Sequence, residues 1–314
     1  MNKYPLLLKP VIKDYIWGGR RLKDEYGFET DKEIAAEGWM LASHKDGTNT
    51  VLNGPLAGKS FDEALAVFGE AEEHFPILIK LIDAKDRLSV QVHPDDEYAF
   101  SHEGEPGKTE MWYIVDCDEG AELIYGFKKE IGKDEFEKRI NDNTLDEVMN
   151  YVPVKRGDVF FIKAGTLHAI GKGILIAEIQ QNSNTTYRVS DYGRLGADGK
   201  PRELHVEKAL DVTETLPPKM PYGAIGEETE HTFGKVRTLA DCERFTVKKL
   251  TLSGGFGINC KSFISLLVLN GDVTVSYDGG AIQGNAGSSI YIPENCAVTV
   301  SGHGEIIYST VNNK

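Results

Sequence analysis

The chain has 314 residues, enough for one large domain or two ordinary ones, and its 40% hydrophobic content can supply a buried core. Its formal net charge of -14 argues against a nucleic acid partner, because phosphate contacts need clustered lysines and arginines. No apolar run approaches the length of a membrane span or of a signal-peptide core. We therefore expect a cytoplasmic globular protein.

Glycines separate short β-branched and aromatic runs along most of the sequence. This pattern predicts strands joined by turns. Clear examples are the runs at 75–82, 111–115 and 174–180. The chain is therefore expected to be mainly β.

Two segments interrupt the strands and predict helices. Ser60 and Glu63 form a capping-box pattern, which predicts a helix that begins after Ser60 and continues through Val67. Thr144 begins the same pattern at the end of a charged segment that starts near Lys133. We interpret the charges of both segments as solvated helix faces.

One predicted strand carries a continuous polar face. Strict alternation places Ser89, Gln91 and His93 on one side and aliphatic residues on the other. Glu110 supplies a carboxylate at the start of a later strand, and His168 follows a strand-turn segment. Imidazole nitrogen, carboxylate oxygen and amide oxygen together suit zinc or another divalent ion with an open position. We predict one metal site formed by Gln91, His93, Glu110 and His168.

The segment that leads to His168 has the spacing of the second cupin motif. In that motif a glycine is followed, after five residues, usually by proline and then by x-Gly-x-x-His. Gly157, Gly165 and His168 fit this spacing, which places the histidine just after a tight turn. Lys163 stands where proline is usual, so the turn must form without a fixed φ.

The chain resembles the type I mannose-6-phosphate isomerases, in the short form that lacks a large helical domain. The motifs that carry this resemblance lie at 15–19, 36–39, 88–96, 107–113, 157–170 and 186–192. The resemblance implies a mainly β fold of two cupin-type jelly-roll barrels with short helical insertions. It also implies an enzyme that interconverts mannose 6-phosphate and fructose 6-phosphate through a cis-enediol, with one zinc ion per chain.

Matching positions within these motifs assign roles to residues of this chain. The family's zinc ligands fall on the four predicted ligands, and its catalytic arginine falls on Arg188. The predicted catalytic residues are Arg188, Lys108 and Glu178, and the predicted substrate-binding residues are Ser89, Lys80 and Trp17. Glu178, Lys108, His168 and a metal-bound water all stay candidates for moving the proton. Ile170 occupies the position of a tyrosine in the long-form enzymes, so that tyrosine's role is not carried over.

An internal repeat predicts a second barrel. Residues 267–271 and 287–293 echo 113–116 and 157–168. Ile264 falls near the place of Glu110, and Val298 stands where the first copy has His168, so the second copy should bind no metal. The predicted organisation is a catalytic metal-binding region at 1–212, a linker or surface loop at 213–230, and a degenerate cupin at 231–314.

Three functions other than a mannose-6-phosphate isomerase are considered for this sequence. An iron-dependent cupin oxygenase is disfavoured by Gln91, because such enzymes usually bind iron through two histidines and a carboxylate. A non-catalytic sugar-binding cupin is disfavoured because every ligand position and Arg188 are present. A free-sugar isomerase on the same barrel is the third alternative.

The local charges expected to attract a sugar phosphate are those of Lys80, Lys108 and Arg188. The sequence carries no signal for the oligomeric state.

Overall fold

The computed structural model describes residues 2–196, 199–219, 222–259 and 261–311. Residues 220 and 221 of the predicted linker lie outside this description. The strands, in chain order, are β1 (Leu6–Lys9), β2 (Val11–Lys13), β3 (Glu37–Leu41), β4 (Ser43–His44), β5 (Gly47–Thr48), β6 (Thr50–Val51), β7 (Ile77–Ala84), β8 (Val90–Val92), β9 (Glu110–Cys117), β10 (Glu122–Phe127), β11 (Met149–Pro153), β12 (Val159–Ile162), β13 (His168–Ala169), β14 (Ile174–Gln181), β15 (Tyr187–Ser190), β16 (Thr229–His231), β17 (Gly234–Asp241), β18 (Thr246–Leu252), β19 (Gly255–Ile258), β20 (Ile264–Tyr277), β21 (Gly280–Asn285), β22 (Ser289–Ile292) and β23 (Val298–Thr310).

The helices are short and lie between strands. They are α1 (Arg21–Asp24), α2 (Phe61–Phe68), α3 (Asp96–His102), α4 (Lys133–Asn141) and α5 (Val206–Val212), with single 3-10 turns at Gly54–Leu56 and Leu145–Glu147. Within the described ranges, no helix has the length and apolar character needed to cross a lipid bilayer.

The strands form three large antiparallel sheets and one small hairpin of β4 and β5. The first large sheet has six strands in the order β12-β9-β14-β7-β3-β2, and the second has five in the order β11-β10-β13-β8-β15. The third has ten strands, with β16-β17-β18-β23-β20-β22-β1-β6 as its path and β19 and β21 paired to β23 and β20. The predicted mainly β fold class is confirmed. The division into two barrels stays a prediction.

The six-stranded sheet is the middle layer, and alternation along β7 shows why. Ile79 and Leu81 belong to the core shared with the ten-stranded sheet. Ile82 belongs to the core shared with the five-stranded sheet, where it joins Leu123 of β10. Because alternate residues of a strand share a face, Lys80 points with Ile82 into the space between the six- and five-stranded sheets. The site is built in this space.

The ten-stranded sheet combines the two ends of the chain. β1 pairs with β22 and with β6, so two strands from the first 51 residues complete a sheet made mainly by the C-terminal region. The predicted domain boundaries at 212 and 231 stay a prediction.

Ile264 of β20 pairs with Ile292 of β22, and Glu110 of β9 pairs in the same way with Ile162 of β12. Ile264 and Ile292 pack with Val298 in an apolar core.

The two predicted capping boxes differ in the structure. Ser60 accepts a hydrogen bond from the Glu63 backbone and Glu63 reaches back to the Ser60 backbone, so α2 forms as predicted and ends one residue later than expected. The prediction of a capping box at Thr144 was wrong. Its side chain caps nothing, and only a 3-10 turn follows. The reason is Arg139, which binds the Glu147 carboxylate at 2.9 Å and the Thr144 carbonyl at 3.2 Å.

This difference predicts unequal effects for two matched truncations. Ser60→Ala should lower the free energy of unfolding by about 1 kcal/mol, because it removes an N-cap from a helix packed on the core. Thr144→Ala should change it by less than about 0.3 kcal/mol, since no cap is lost. Urea unfolding of both variants measures the two effects. Equal losses in the two variants would contradict the assignment.

Candidate active site

Strand register gathers the polar residues between the two sheets. On the five-stranded sheet, Gln91 of β8 lies opposite His168 of β13 on one side and Arg188 of β15 on the other. On the six-stranded sheet, Glu178 of β14 lies opposite Lys80 of β7. Neighbouring strands lie about 4.8 Å apart. Residues far apart in the sequence therefore meet in one small volume.

A buried cluster of three ligands occupies this volume. Ligating atoms of His93, Glu110 and His168 all lie within 4.8 Å of one another. Nε2 of His93 is 3.7 Å from Oε2 of Glu110, and Nε2 of His168 is 3.5 Å from Oε1. The amide nitrogen of Gln91 lies 3.3 Å from Nε2 of His168. The structure thus brings all four predicted ligands together.

Both imidazoles are oriented by backbone carbonyls. Nδ1 of His93 lies 2.9 Å from the Thr185 carbonyl, and Nδ1 of His168 lies 2.9 Å from the Thr166 carbonyl. Nδ1–H donates in each case, which leaves the Nε2 lone pair facing Glu110. Burial lowers the pKa of His168 to about 4 and that of His93 well below its ordinary value. Both rings are neutral near pH 7, as metal coordination requires.

The turn before His168 forms without proline. The Thr166 amide donates to the Lys163 carbonyl at 3.0 Å, which closes the turn. Gly165 adopts a φ of 88°, a conformation that side chains other than glycine rarely take. Its amide also donates to the His93 carbonyl at 2.8 Å, so the turn ties the two imidazole-bearing segments together.

Glu110 is the residue that best tests whether the cluster fits a cation. It is fully buried, and its Oε1 has no hydrogen-bond donor among the described residues. Its ion-pair partner is Lys108, whose Nζ lies 2.9 Å from Oε2. Burial, reinforced by the charge of Glu178, raises the pKa of Glu110 to about 7. A buried carboxylate with one oxygen that lacks a donor, set between two neutral imidazoles, fits a divalent ion.

A cavity of about 260 Å³ opens beside the cluster. Seven predicted site residues line it, namely Trp17, Lys80, Ser89, Gln91, Lys108, Glu178 and Arg188. Gln91 and Lys108 border the cavity and also contact the buried ligands. The cavity and the cluster therefore form one site.

The side of the cavity formed by the six-stranded sheet, its inner wall, carries paired opposite charges. Nζ of Lys80 lies 3.2 Å from Glu178 and 3.7 Å from Glu37, and the Trp112 indole donates to Glu178 at 2.9 Å. Burial alone would lower the pKa of Lys80, but the charges of Glu37 and Glu178 outweigh it and raise that pKa. Burial alone would raise the pKa of Glu178, but Lys80 and Lys108 outweigh it and lower that pKa. Glu178 is thus an ionised carboxylate facing the cavity.

Arg188 lies on the opposite side of the cavity, the outer wall, which the five-stranded sheet and the loop after β15 form. Its Nε donates to the Ser89 hydroxyl at 3.3 Å, and its Nη1 donates to the Glu203 carbonyl at 2.9 Å. Burial, followed by the nearby charge of Arg202, lowers the pKa of Arg188 below its usual value. A guanidinium stays charged even so. Arg188 is thus a fixed cation across the cavity from Glu178.

Five polar residues that line the cavity were not predicted as site residues, namely Tyr15, Glu37, Asn184, Thr186 and Arg202. Glu37 had a sequence signal, because it lies in the motif at 36–39. The Trp39 indole donates to Glu37 at 2.7 Å, and Trp39 lies opposite Lys80. Arg202 lies in a loop without regular hydrophobic periodicity, so no local pattern indicated it.

Glu105 orders the loop that orients His93. Its Oε1 accepts hydrogen bonds from the Ser183 hydroxyl at 3.1 Å, the Asn184 amide at 3.3 Å and the Thr185 hydroxyl. Burial alone would raise the pKa of Glu105, but its donors, first among them His44, hold it far below the ordinary 4.5. Glu105 therefore stabilises the folded chain in its ionised form.

This pKa predicts a pH-dependent effect of Glu105→Gln. Because the unfolded chain takes up a proton near pH 4.5 and the folded chain only at lower pH, the carboxylate's contribution is full above pH 4.5 and is lost as the pH falls. The variant should therefore be less stable than the wild type at about pH 6, with a smaller difference at about pH 3.5. Urea unfolding at both pH values measures this. Glu227→Gln, at an exposed position, is the control, and a constant difference for Glu105→Gln would contradict the argument.

The fold and the site together define a cupin protein with a buried cluster suited to a metal and an adjoining charged cavity. A family model described as "Phosphomannose isomerase type I, catalytic domain" matches residues 6–120. A second, described as "Mannose-6-phosphate isomerase, cupin domain", matches residues 235–311.

Similar proteins cover nearly the whole chain. The probable mannose-6-phosphate isomerase GmuF of Bacillus subtilis is 39% identical over 314 residues, which is 98% of this chain and 99% of that protein. The mannose-6-phosphate isomerase ManA of the same organism is 43% identical over 87% of each chain. The crystal structure of the mannose 6-phosphate isomerase from Bacillus subtilis superposes with a TM-score of 0.90, at 36% identity, over 98% of this chain and 99% of that one.

The chain therefore belongs to the type I phosphomannose isomerase family. The predicted family and the predicted enzyme class are confirmed.

Proposed function

We propose that this chain interconverts mannose 6-phosphate and fructose 6-phosphate through a cis-enediol, with one zinc ion held by Gln91, His93, Glu110 and His168. The observation that carries the proposal is the buried ligand cluster beside a cavity lined by paired acids and bases. When bound, a divalent ion supplies Lewis acidity that stabilises negative charge on the substrate oxygens. The remaining chemistry belongs to the side chains of the cavity.

The reaction moves two protons. One leaves carbon 2 and arrives at carbon 1, and the other moves from the oxygen on carbon 2 to the oxygen on carbon 1. Glu178 is suited to the carbon-bound proton, because its carboxylate is ionised, faces the cavity and is oriented by Trp112 and Lys80. His168 is poorly suited, since it is fully buried and its Nε2 faces Glu110.

Lys108 and Arg188 are suited to the oxygens. The Lys108 ammonium borders the cavity and can donate to an oxygen where negative charge develops. Arg188 can bind hydroxyl groups from the opposite wall with its fork-shaped set of donors. Ser89 orients Arg188 through its hydroxyl, and Trp17 forms part of the apolar wall.

The non-catalytic alternative makes a different demand on the cavity. Burying the Lys80–Glu178 ion pair costs the desolvation of two charges, and a binding module could avoid this cost by binding sugar hydroxyls with a neutral amide. The charged pair at Glu178 therefore favours an enzyme over a binding module.

Metal content tests the ligand assignment directly. Purified protein should contain about one divalent ion per chain, with zinc expected, and His168→Ala should contain less than about a tenth of that. His303→Ala, at an exposed position outside the cluster, is the control and should keep its metal. Elemental analysis after dialysis gives the ratios. Retention of a full complement of metal by His168→Ala would contradict the assignment.

Arg188→Ala separates catalysis from metal binding. Its kcat for mannose 6-phosphate should fall at least about a hundredfold, because a charged donor to the reacting oxygens is lost, while its metal content stays near that of the wild type. Arg139→Ala is the matched control and should keep its kcat, because Arg139 pairs with Glu135 and Glu147 in the region of α4 and does not line the cavity. Steady-state kinetics and elemental analysis provide both readouts. Near-normal turnover in Arg188→Ala would remove this residue from the mechanism.

A further inference from the structure

The four cations of the cavity are not equally available to an anion. Lys80 and Lys108 each lie beside buried carboxylates: Glu178 is 3.2 Å from the first ammonium, and Glu110 is 2.9 Å from the second. Each lysine is thus matched by a negative charge within the site. A phosphoryl group placed among them would meet those carboxylates as well. The inner wall is therefore a poor place for a phosphate.

The outer wall carries more positive than negative charge. Arg188 and Arg202 both line the cavity, and Arg188 forms no ion pair with a described carboxylate. Asp191 accepts from Arg202 at 2.5 and 2.6 Å and also from Arg194 at 2.5 Å. Arg194 also lies 3.9 Å from Asp86. Two carboxylates, Asp191 and Asp86, thus face the three guanidiniums of Arg188, Arg194 and Arg202. This wall therefore keeps a surplus of positive charge in a chain whose net charge is -14.

Arg202 is also held in a defined orientation. Its Nε and Nη2 both bind the Asp191 carboxylate, the bidentate arrangement that fixes the guanidinium plane. Nη1 forms no hydrogen bond with a described residue, which leaves a donor edge for a ligand. The carboxylate that sets this orientation is itself buried. Arg202 is thus a preorganised donor and not a freely moving surface side chain.

The strand register places Arg202 at the end of the site farther from the metal ligands. His168, Gln91 and Arg188 follow one another across the five-stranded sheet. The segment after Arg202 continues this order, because the His205 amide donates to the Arg188 carbonyl at 2.8 Å. A substrate that reacts at the metal-binding end would extend its other end toward Arg202.

We propose that Arg202 binds the phosphoryl group of the sugar phosphate and thereby sets the preference for phosphorylated over free hexose. This inference rests on the proposed function and deepens it. A sugar phosphate carries nearly two negative charges at pH 7, which suit the surplus charge of the outer wall. The reacting carbons then lie toward Glu178, and the phosphoryl group lies away from the carboxylates.

Calorimetry with inorganic phosphate tests the binding step without turnover. Wild-type protein as purified should bind phosphate, and Arg202→Gln should weaken that binding by about ten- to hundredfold, the effect of losing a charged hydrogen bond. Arg202→Lys, which keeps the charge, should lie between the two. Arg20→Gln is the matched control, because Arg20 is exposed, pairs with Asp24 and does not line the cavity, and it should change the affinity less than about twofold. Thermal unfolding of each variant identifies any that fails to fold.

Kinetics then tests the preference. The ratio of kcat/KM for mannose 6-phosphate to that for mannose should fall by about ten- to hundredfold in Arg202→Gln and stay within about twofold in Arg20→Gln. An unchanged ratio, or unchanged phosphate affinity in folded Arg202→Gln, would overturn the inference. Wild-type protein that binds phosphate through Arg202 but does not isomerise mannose 6-phosphate would instead contradict the proposed function.

Discussion

Keeping Glu110 charged inside the protein is the constraint on which the rest of the site depends. An ionised carboxylate removed from water is strongly destabilised unless a cation compensates it. Its neighbours are two imidazoles made neutral by burial and the ammonium of Lys108. The raised pKa of Glu110 expresses that destabilisation. A divalent ion at this position would remove it, so the cluster is expected to bind its metal tightly.

The same constraint organises the cavity. Lys80 and Glu178 pair across neighbouring strands, because both are buried away from bulk water and each charge needs a partner. The outer wall lies near the loop that follows β15, where Asp191 balances its arginines only in part. The site therefore has a charge-matched reacting end and a positively charged end.

Local pattern was enough to predict much of this arrangement. Alternation placed Gln91 and His93 on one face, and the motif spacing placed His168 at a turn, because both features depend on neighbouring residues alone. The predictions that failed depended on tertiary contacts. Thr144 forms no capping box because Arg139 binds Glu147. Arg202 was not predicted because it is oriented by a partner eleven residues away in an irregular loop. The pairing of β1 with β22 joins opposite ends of the chain, which no local pattern could indicate.

Reconstitution with zinc tests the central claim most directly, that one ion in the His93–Glu110–His168 cluster supports isomerisation. Protein stripped by a chelator would be titrated with Zn²⁺ while bound metal and the conversion of mannose 6-phosphate to fructose 6-phosphate are followed together. We expect negligible activity without metal, a rise in activity in proportion to bound zinc, and saturation at about one ion per chain. Full activity in the stripped protein, or binding of zinc without any gain in activity, would contradict it.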